Sequence, residues 1–305
     1  MNAQLDNGVA RRWRGKYRRD EPLARHCTWR CGGPADVYFA PADRAELCEF
    51  LAAGAAVEPI FWLGLGSNVL VRDGGLRGTV IATGSLDRFA WEDDSHLYAE
   101  AGLACARIAR LAASEDRAGL EFLAGIPGTL GGALRMNAGA LGGETWDYVE
   151  WAEMVDGAGV VTRHARAAFA TAYRHVDAPL TGGFVAALLH VPDSAAGAGA
   201  ERIRQVLAQR NATQPTGRPT CGSVFKNPPG DYAGRLIESC GLKGHRIGAA
   251  QVSTVHANFI VNEGGARAHD IEALIRHVQA TVRAATGIVL EPEVLIVGVD
   301  AEDAP

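Results

Sequence analysis

The sequence has no uninterrupted run of the roughly 18 apolar residues that a membrane-spanning helix requires. Charge is concentrated in only one short segment, which contains Arg11, Arg12, Arg14, Lys16, Arg18 and Arg19. The Arg11-Arg12 pair resembles a twin-arginine export signal, but no apolar segment follows it. We therefore interpret residues 1–25 as a solvated basic arm and expect a cytoplasmic protein without a membrane partner.

The chain also lacks the basic balance of a nucleic-acid-binding protein, since its formal net charge is −5. We expect no nucleic-acid partner. A hydrophobic content of 48% with 21% charged residues is typical of a soluble globular enzyme. A length of 305 residues favours two domains, or one large domain with an insertion.

The cysteines form no CxxC pair, and no metal site is predicted. Cys27 and Cys31 have a spacing that fits one helix face, but no second pair accompanies them. In a cytosolic chain we expect reduced, mostly buried thiols. Cys221 lies beside Ser223, which leaves a reactive thiol as an alternative, although no histidine is near it in the sequence. The six cysteines are Cys27, Cys31, Cys48, Cys105, Cys221 and Cys240.

Apolar periodicity predicts a mixture of strands and helices. The predicted strands are Ala35–Ala40, Pro59–Leu63, Thr79–Thr83 and Asn258–Asn262. The predicted helices are Asp43–Ala53, Ala104–Ser114, Tyr232–Ser239 and Asp270–Ala285, the last ended by Gly287.

Two glycine-rich loops follow apolar strands. In GLGSNVLVRDGG, Gly64–Gly75, the glycines let backbone N–H groups face a phosphate, and Ser67 and Asn68 add donors. This loop lacks the third glycine of a dinucleotide fingerprint and the Lys-Ser/Thr of a P-loop. In GIPGTLGGALRMNAGALGGE, Gly125–Glu144, small residues would let a flat ligand lie against the backbone. Together they predict a large diphosphate cofactor with a planar ring; plain structural loops are the alternative.

The segment GRPTCGSVFKNP, Gly217–Pro228, combines groups that suit an anionic substrate. Gly222 permits a tight turn that presents Ser223. Lys226 adds a cation and Asn227 an amide. The segment predicts a ligand site beside a hydroxyl donor, with a structural loop as the alternative.

These three segments resemble those of the UDP-N-acetylenolpyruvoylglucosamine reductase family, often called MurB. The resemblance extends to Gly32–Asp36, Tyr173-Arg174, AGRLIESCGLKGHRIGAAQVSTVHANFIVN and LEPEV, in the family's order from about residue 26 to 298. The interval from Arg174 to Ser223 is too short for the substrate-covering tyrosine loop of the longer branch. The chain is therefore similar to the shorter branch, type II.

The resemblance implies an α+β fold. It implies a two-subdomain FAD-binding fold of the vanillyl-alcohol-oxidase (PCMH) type plus a C-terminal α+β substrate domain. The expected boundaries are 1–25 for the basic arm, 26–96 and 97–205 for the FAD-binding subdomains, and 206–305 for the substrate domain.

The implied activity is that of an oxidoreductase flavoprotein with FAD and NADPH as cofactors. It reduces UDP-N-acetylglucosamine enolpyruvate to UDP-N-acetylmuramate for peptidoglycan synthesis, and thus for cell wall biogenesis, cell shape and cell division. Hydride passes from flavin N5 to substrate C3, and a proton is added at C2. The alternative is another FAD-dependent oxidase or dehydrogenase of the same cofactor fold. A monomer acting on small molecules is expected.

The family's catalytic residues carry over to three positions. Arg174 would stabilise the enolate-like dianion, because its planar fork suits a carboxylate. Ser223 would donate the proton to C2. Glu293 would act protonated or through water, which requires a pKa raised by burial. One departure is His175-Val176 after Arg174, where the family often has a serine two residues beyond the arginine; this puts the loop geometry in question.

The binding residues also follow from the resemblance. Lys226, Asn227 and Tyr173 are expected to bind substrate, and His256 and Asn258 either act there or hold the substrate domain together. The residues expected to bind FAD are Gly64, Gly66, Ser67, Asn68, Gly125, Ile126, Pro127, Gly128, Gly131, Gly132, Ala133, Asn137, Ala138 and Gly139.

Overall fold

The computed structural model describes residues 12–303. Residues 1–11 of the predicted basic arm, with Arg11, lie outside the described residues. The rest of the predicted solvated arm is part of the fold, because Lys16–Pro22 forms an edge strand and the Trp13 side chain is only 8% exposed. An edge strand tolerates this many charged residues, since its outer side faces water.

The chain alternates short strands with seven-residue or longer helices. The strands are β1 (Lys16–Pro22), β2 (Pro34–Ala40), β3 (Ile60–Leu63), β4 (Val69–Val71), β5 (Leu76–Ala82), β6 (Phe89–Asp93), β7 (His96–Glu100), β8 (Gly139–Ala140), β9 (Gly143–Glu144), β10 (Val149–Val155), β11 (Val161–Ala165), β12 (Ala170–Ala172), β13 (His175–Asp177), β14 (Gly183–His190), β15 (Arg246–Ile247), β16 (Ala250–Val252), β17 (Ile260–Asn262) and β18 (Leu295–Val297). The helices are α1 (Arg44–Ala52), α2 (Cys105–Ser114), α3 (Leu130–Met136), α4 (Ala198–Thr213), α5 (Ala233–Ser239) and α6 (Ala268–Thr286).

Two compact units interleave along the chain. The first comprises the described residues up to Arg19 together with 37–65 and 78–208, and the second comprises 20–36, 66–77 and 209–303. The predicted boundary between 205 and 206 lies inside α4. The functional domain boundaries at 26, 97 and 206 stay predictions.

The first unit is built around a five-stranded antiparallel sheet in the order β11-β10-β14-β7-β6. Its strand β14 is a nearly continuous buried apolar run, and the amphipathic helix α2 buries Ile108, Ala109 and Ala112 in the same core. A second sheet has the order β1-β2-β5-β3, with β3 and β5 parallel. Asp43 caps the helix α1 by accepting a hydrogen bond from the Glu46 N–H.

The second unit packs α6 over the antiparallel sheet β15-β16-β17 and the parallel pair β4-β18. The predicted core stripe of α6 is confirmed, since Ile271, Leu274, Ile275, Val278 and Val282 are all buried. Gly287 ends the helix at φ 75°, a left-handed conformation that costs glycine little. Each of the other predicted helices and strands is also present, with ends shifted by at most three residues.

Two helices were not predicted. Helix α3 lies inside the second glycine-rich segment, which was interpreted as a loop because of its seven glycines. Helix α4 buries only Gly199, Ile203 and Val206, too few apolar residues to produce a periodic signal. In both helices, contacts with the rest of the fold outweigh the local sequence pattern.

The cysteines fit the expectation of reduced, mostly buried thiols, because all six are free and four are buried. The alternative of a reactive Cys221 is wrong. Its thiol is buried, which raises its pKa to about 11 and keeps it protonated at neutral pH. Within residues 12–303 no three His, Cys, Asp or Glu side chains are grouped to hold a metal ion. No described helix is long and apolar enough to cross a membrane.

Candidate functional site

The first glycine-rich loop begins at a position that only glycine fits. A Cβ on Gly64 would lie 2.6 Å from the Thr129 hydroxyl oxygen, well inside van der Waals contact. Gly66 has φ +59°, and a Cβ there would meet the His26 carbonyl oxygen. The tight fit explains both glycines without assigning a ligand to either, so their predicted FAD contacts stay predictions.

The second glycine-rich segment brings a buried hydroxyl to the start of α3. Thr129 is only 2% exposed, and its hydroxyl has no hydrogen-bond partner among the described residues. A buried hydroxyl without a partner costs free energy unless a ligand or water satisfies it. A Cβ on the neighbouring Gly132 would meet no atom within 4 Å, so its backbone is accessible. An unsatisfied buried hydroxyl at the start of a helix that also carries an exposed glycine backbone fits a bound polar group such as a cofactor phosphate.

Sequence reasoning missed Thr129 as a site residue. No local signal pointed to it, because Thr129 is the N-cap residue of α3, a helix that was itself not predicted. The Thr129 side chain makes no capping hydrogen bond there, which leaves its hydroxyl for another partner.

The candidate catalytic residue Arg174 lies at the tip of the hairpin β12-β13. Ala172 pairs with His175, so Tyr173 and Arg174 form a two-residue turn. Arg174 has φ 55°, a left-handed conformation uncommon outside glycine, asparagine and aspartate. Its Nη2 donates to the Gly139 carbonyl oxygen at 2.7 Å and its Nη1 to the Asn137 carbonyl oxygen at 3.4 Å. The hairpin forms despite the departure at His175-Val176.

Tyr173, the other turn residue, is 45% exposed. The Arg174 guanidinium carbon lies 4.8 Å from the Tyr173 ring centroid. This cation–π contact and the two carbonyl contacts together orient the guanidinium.

In the second unit, Ser223 sits between a turn glycine and a buried anchor. Gly222 has φ +69°, as a tight turn requires. Val224 and Phe225 are buried, and the Val224 N–H donates to the Asn258 carbonyl oxygen at 2.9 Å. The half-buried Ser223 is therefore held by backbone contacts on its C-terminal side.

Asn258 holds the same segment through its side chain. Its amide accepts a hydrogen bond from the Phe225 N–H at 3.0 Å and donates to the Phe225 carbonyl oxygen at 2.8 Å. Asn258 is buried, at 4% exposure. Of the two roles left open for this residue, the structure supports the one that holds the unit together.

Glu293 lies on a segment that pairs with the Ser223 segment. The Glu293 N–H donates to the Val224 carbonyl oxygen at 2.8 Å, and Phe225 forms a bridge with Pro292. Glu293 is half-buried. The structure thus brings the segments of Ser223 and Glu293 together within one unit, while Arg174 belongs to the other unit.

Lys226 and Asn227 both have partners within the second unit. The Lys226 ammonium contacts a Glu291 carboxylate oxygen at 2.6 Å. The Asn227 side chain accepts a hydrogen bond from the Ala233 N–H at the start of α5. Lys226 is half-buried and Asn227 exposed. Their substrate contacts stay predictions, as does that of Tyr173.

The His256 ring is half-buried in the second unit. Burial is the main cause that lowers its pKa below the ordinary value. Its Nδ1 lies 3.2 Å from the Asn258 nitrogen and accepts that N–H. The ring therefore carries its hydrogen on Nε2.

Comparisons with known proteins match both parts of the chain. Residues 35–164 match the FAD binding domain, and residues 214–297 match the C-terminal domain of UDP-N-acetylenolpyruvoylglucosamine reductase. The chain is 55% identical over 286 residues to a UDP-N-acetylenolpyruvoylglucosamine reductase from Methylococcus capsulatus, covering 93% of this chain and 94% of that protein. The chain belongs to the UDP-N-acetylenolpyruvoylglucosamine reductase family.

Two further relatives agree. The reductase of the same name from Alkalilimnicola ehrlichii is 55% identical over 285 residues, covering 93% of this chain and 95% of that protein. The crystal structure of the reductase (MurB) from Thermus caldophilus has a TM-score of 0.80 and 34% sequence identity, covering 93% of this chain and 99% of that one. These matches confirm the predicted family, the α+β FAD-binding fold and the oxidoreductase class. They do not favour the alternative of another flavin oxidase.

Proposed function

We propose that this chain reduces UDP-N-acetylglucosamine enolpyruvate to UDP-N-acetylmuramate with NADPH and FAD, as a step of peptidoglycan precursor synthesis. The observation that carries the proposal is the 55% identity to a UDP-N-acetylenolpyruvoylglucosamine reductase over 93% of the chain. The paired segments of Ser223 and Glu293 support it, because the proposed chemistry uses both residues.

FAD fits the residues of the first unit. The Thr129 hydroxyl is buried without a partner among residues 12–303, and the Gly132 backbone is open. These groups would hold a phosphate of the cofactor, together with the small residues from Gly131 to Ala133. When bound, FAD would supply the hydride chemistry between NADPH and C3 of the enolpyruvyl group.

Arg174 is assigned to the charge that develops on the substrate. Hydride addition at C3 produces an enolate-like dianion next to the substrate carboxylate. A guanidinium offers five N–H donors in a planar fork that matches a carboxylate. The contacts to Gly139 and Asn137 fix this group before substrate binds, which is what electrostatic stabilisation of a transition state requires.

Ser223 is assigned as the proton donor to C2. A serine hydroxyl is a weak acid, but a carbanionic enol is a strong base, so the transfer is chemically matched. The Gly222 turn and the anchor at Val224 and Phe225 hold the hydroxyl in place. Glu293 is assigned to the same reaction step, either donating a hydrogen bond in its protonated form or acting through a water molecule.

Lys226, Asn227 and Tyr173 are proposed to bind the substrate. We also propose that the protein is a cytoplasmic monomer and that it has no nucleic-acid or membrane partner. The net charge of −5 supports the absence of a nucleic-acid partner.

Product analysis tests the function. The purified protein is incubated anaerobically with NADPH and UDP-N-acetylglucosamine enolpyruvate, and the nucleotide sugar is analysed by mass spectrometry. We expect a product heavier by one hydride and one proton, with one NADPH consumed per product. Unchanged enolpyruvate, with NADPH consumed only when oxygen is admitted, would refute the proposal.

A further inference from the structure

Asn137 ends helix α3 in a left-handed conformation, with φ 42° and ψ 54°. Its side chain is buried, at 2% exposure. The side-chain Nδ2 donates to a Glu144 carboxylate oxygen at 2.8 Å and to the Ala172 carbonyl oxygen at 3.2 Å. Its Oδ1 accepts a hydrogen bond from the Trp146 N–H at 3.2 Å. Both amide hydrogens and Oδ1 are therefore used inside the first unit, which leaves only the Asn137 backbone, unchanged in a glycine variant, for its predicted FAD contact.

The partners of this amide surround Arg174. Ala172 directly precedes the Tyr173-Arg174 turn. Glu144 pairs with Gly139 in the β8-β9 ladder, and Gly139 supplies a carbonyl acceptor of Arg174. Asn137 supplies the other acceptor through its own backbone. One buried amide thus joins the strand that leads into Arg174 to the segment whose carbonyls orient its guanidinium.

We propose that Asn137 is a positioning residue for Arg174. The inference rests on the proposed function, which assigns Arg174 to the substrate. An arginine at a turn has many rotamers, and holding its long side chain in one of them costs conformational entropy. The carbonyls of Asn137 and Gly139 select one orientation, and the Asn137 side chain keeps those carbonyls at a fixed distance from the hairpin.

Other contacts keep the surrounding structure in place when the amide is removed. Arg166 donates to the Trp146 carbonyl oxygen at 3.1 Å and to the Thr171 hydroxyl at 2.7 Å. The Trp146 indole N–H donates to the Leu134 carbonyl oxygen at 2.7 Å. The hairpin therefore stays attached to the core without Asn137, so its loss should loosen Arg174 rather than unfold the unit.

The test variant is Asn137→Gly, which tolerates the left-handed backbone and removes the amide. Anaerobic stopped-flow absorbance measures flavin reduction by NADPH and flavin reoxidation by the enolpyruvyl substrate separately. We expect reoxidation to slow by about 10- to 100-fold, the usual effect of a misplaced catalytic group. Reduction by NADPH, to which the proposed function assigns neither Arg174 nor the Asn137 side chain, should change by less than about threefold.

A double-variant cycle separates positioning from general damage. In an Arg174→Lys background, Asn137→Gly should slow reoxidation by less than about threefold further, because residues that act as a unit are not additive. The matched control is Asn262→Ala in the second unit. Asn262 is also buried; its Nδ2 donates to the Trp29 carbonyl oxygen, and its Oδ1 accepts N–H groups of Gly264 and Ala266. The Asn262→Ala variant should have a lower melting temperature, but flavin reoxidation in it should not be slowed more than flavin reduction.

Equal slowing of both half-reactions, or effects that multiply in the double variant, would overturn the inference. So would a crystal structure of Asn137→Gly in which Arg174 keeps its contact with the Gly139 carbonyl while reoxidation stays at the unmodified rate. If the unmodified protein reduces no enolpyruvyl substrate, the proposed function fails. The crystallographic contact then still decides whether Asn137 holds Arg174.

Discussion

The Asn68 side-chain amide donates a hydrogen bond of 3.1 Å to the backbone carbonyl oxygen of Glu293, 225 residues further along the chain. The Leu295 N–H donates in turn to the Asn68 carbonyl oxygen at 3.0 Å, where the parallel pair β4-β18 begins. The first glycine-rich loop therefore fixes the segment that carries a candidate catalytic carboxyl group. The Asn68 side-chain amide therefore has a structural role, besides the contact with FAD that is predicted for this residue.

Replacing Asn68 with alanine should slow flavin reoxidation by the enolpyruvyl substrate by about tenfold, because a displacement of Glu293 disturbs the reacting geometry. The lost hydrogen bond should also lower the free energy of unfolding by about 1 kcal/mol. Stopped-flow absorbance and urea denaturation measure the two effects. Asn211→Ala on the exposed side of α4 is the control. Unchanged reoxidation in Asn68→Ala would show that Glu293 is held by other contacts or does not act.

Replacing Ser223 with alanine should leave flavin reduction by NADPH unchanged and slow reoxidation by about two to four orders of magnitude, the range of general acid catalysis. Single-turnover absorbance at the flavin band measures both rates. Ser114→Ala at the exposed end of α2 is the control for a lost hydroxyl. If both half-reactions of Ser223→Ala collapsed together, Ser223 would have a structural role and the proton-donor assignment would fail.

Replacing Gly64 with alanine should weaken FAD binding. The new Cβ would lie 2.6 Å from the Thr129 hydroxyl oxygen, so either Thr129 or the loop must shift. Overpacking of this kind costs about 1–3 kcal/mol, which corresponds to roughly a 5- to 150-fold loss of affinity if all of it falls on the bound state. The ratio of flavin to protein absorbance after dialysis measures the effect.

The matched control is Gly84→Ala, since a Cβ at Gly84 meets no atom within 4 Å. Full flavin occupancy in both variants would mean that the space around Thr129 is not part of the cofactor site.

The pair of Arg72 and Glu272 should make the stability of the second unit depend on pH. Arg72 Nε and Nη2 contact the two Glu272 carboxylate oxygens at 2.9 and 3.0 Å. Hydrogen bonding to Arg72 is the main cause that lowers the pKa of Glu272 below its ordinary 4.5. A lowered folded-state pKa stabilises the fold above pH 4.5, and this contribution is lost as the pH falls through the folded-state value.

Glu272→Gln should therefore lower the free energy of unfolding by about 1–3 kcal/mol at pH 7, with a smaller difference at pH 3. Urea denaturation at both pH values measures this. Glu238→Gln removes an exposed ion pair with Lys243 and should change stability by less than about 1 kcal/mol. A deficit for Glu272→Gln that grows at pH 3 would contradict the assignment.

Helices and strands with a regular apolar pattern could be predicted, because their apolar residues recur at the spacing that a helix or a strand requires. The apolar stripe of α6 and the Gly287 stop are local signals, and both are present. Helix α3 could not be predicted, since glycines favour loops by propensity and only tertiary contacts hold them in a helix. The Leu130 N–H, for example, donates to the Leu103 carbonyl oxygen outside the helix.

The candidate site also has a part that could be predicted from the sequence and a part that could not. The glycines and the Ser223 segment stand out as motifs, whereas the roles of Arg174 and Glu293 came from the family resemblance alone. The contacts of Asn137 and Asn68 were not predictable, because each joins segments that lie apart in the sequence. Thr129 was missed since an unsatisfied hydroxyl is visible only once burial is known.

The most direct measurement is anaerobic stopped-flow absorbance at the flavin band of the unmodified protein. NADPH is mixed first, and UDP-N-acetylglucosamine enolpyruvate follows. We predict that the flavin absorbance bleaches with NADPH and recovers rapidly on addition of the enolpyruvyl substrate. A flavin that bleaches but recovers only when oxygen is admitted would contradict the reductase assignment, and a protein without flavin absorbance would contradict the cofactor site.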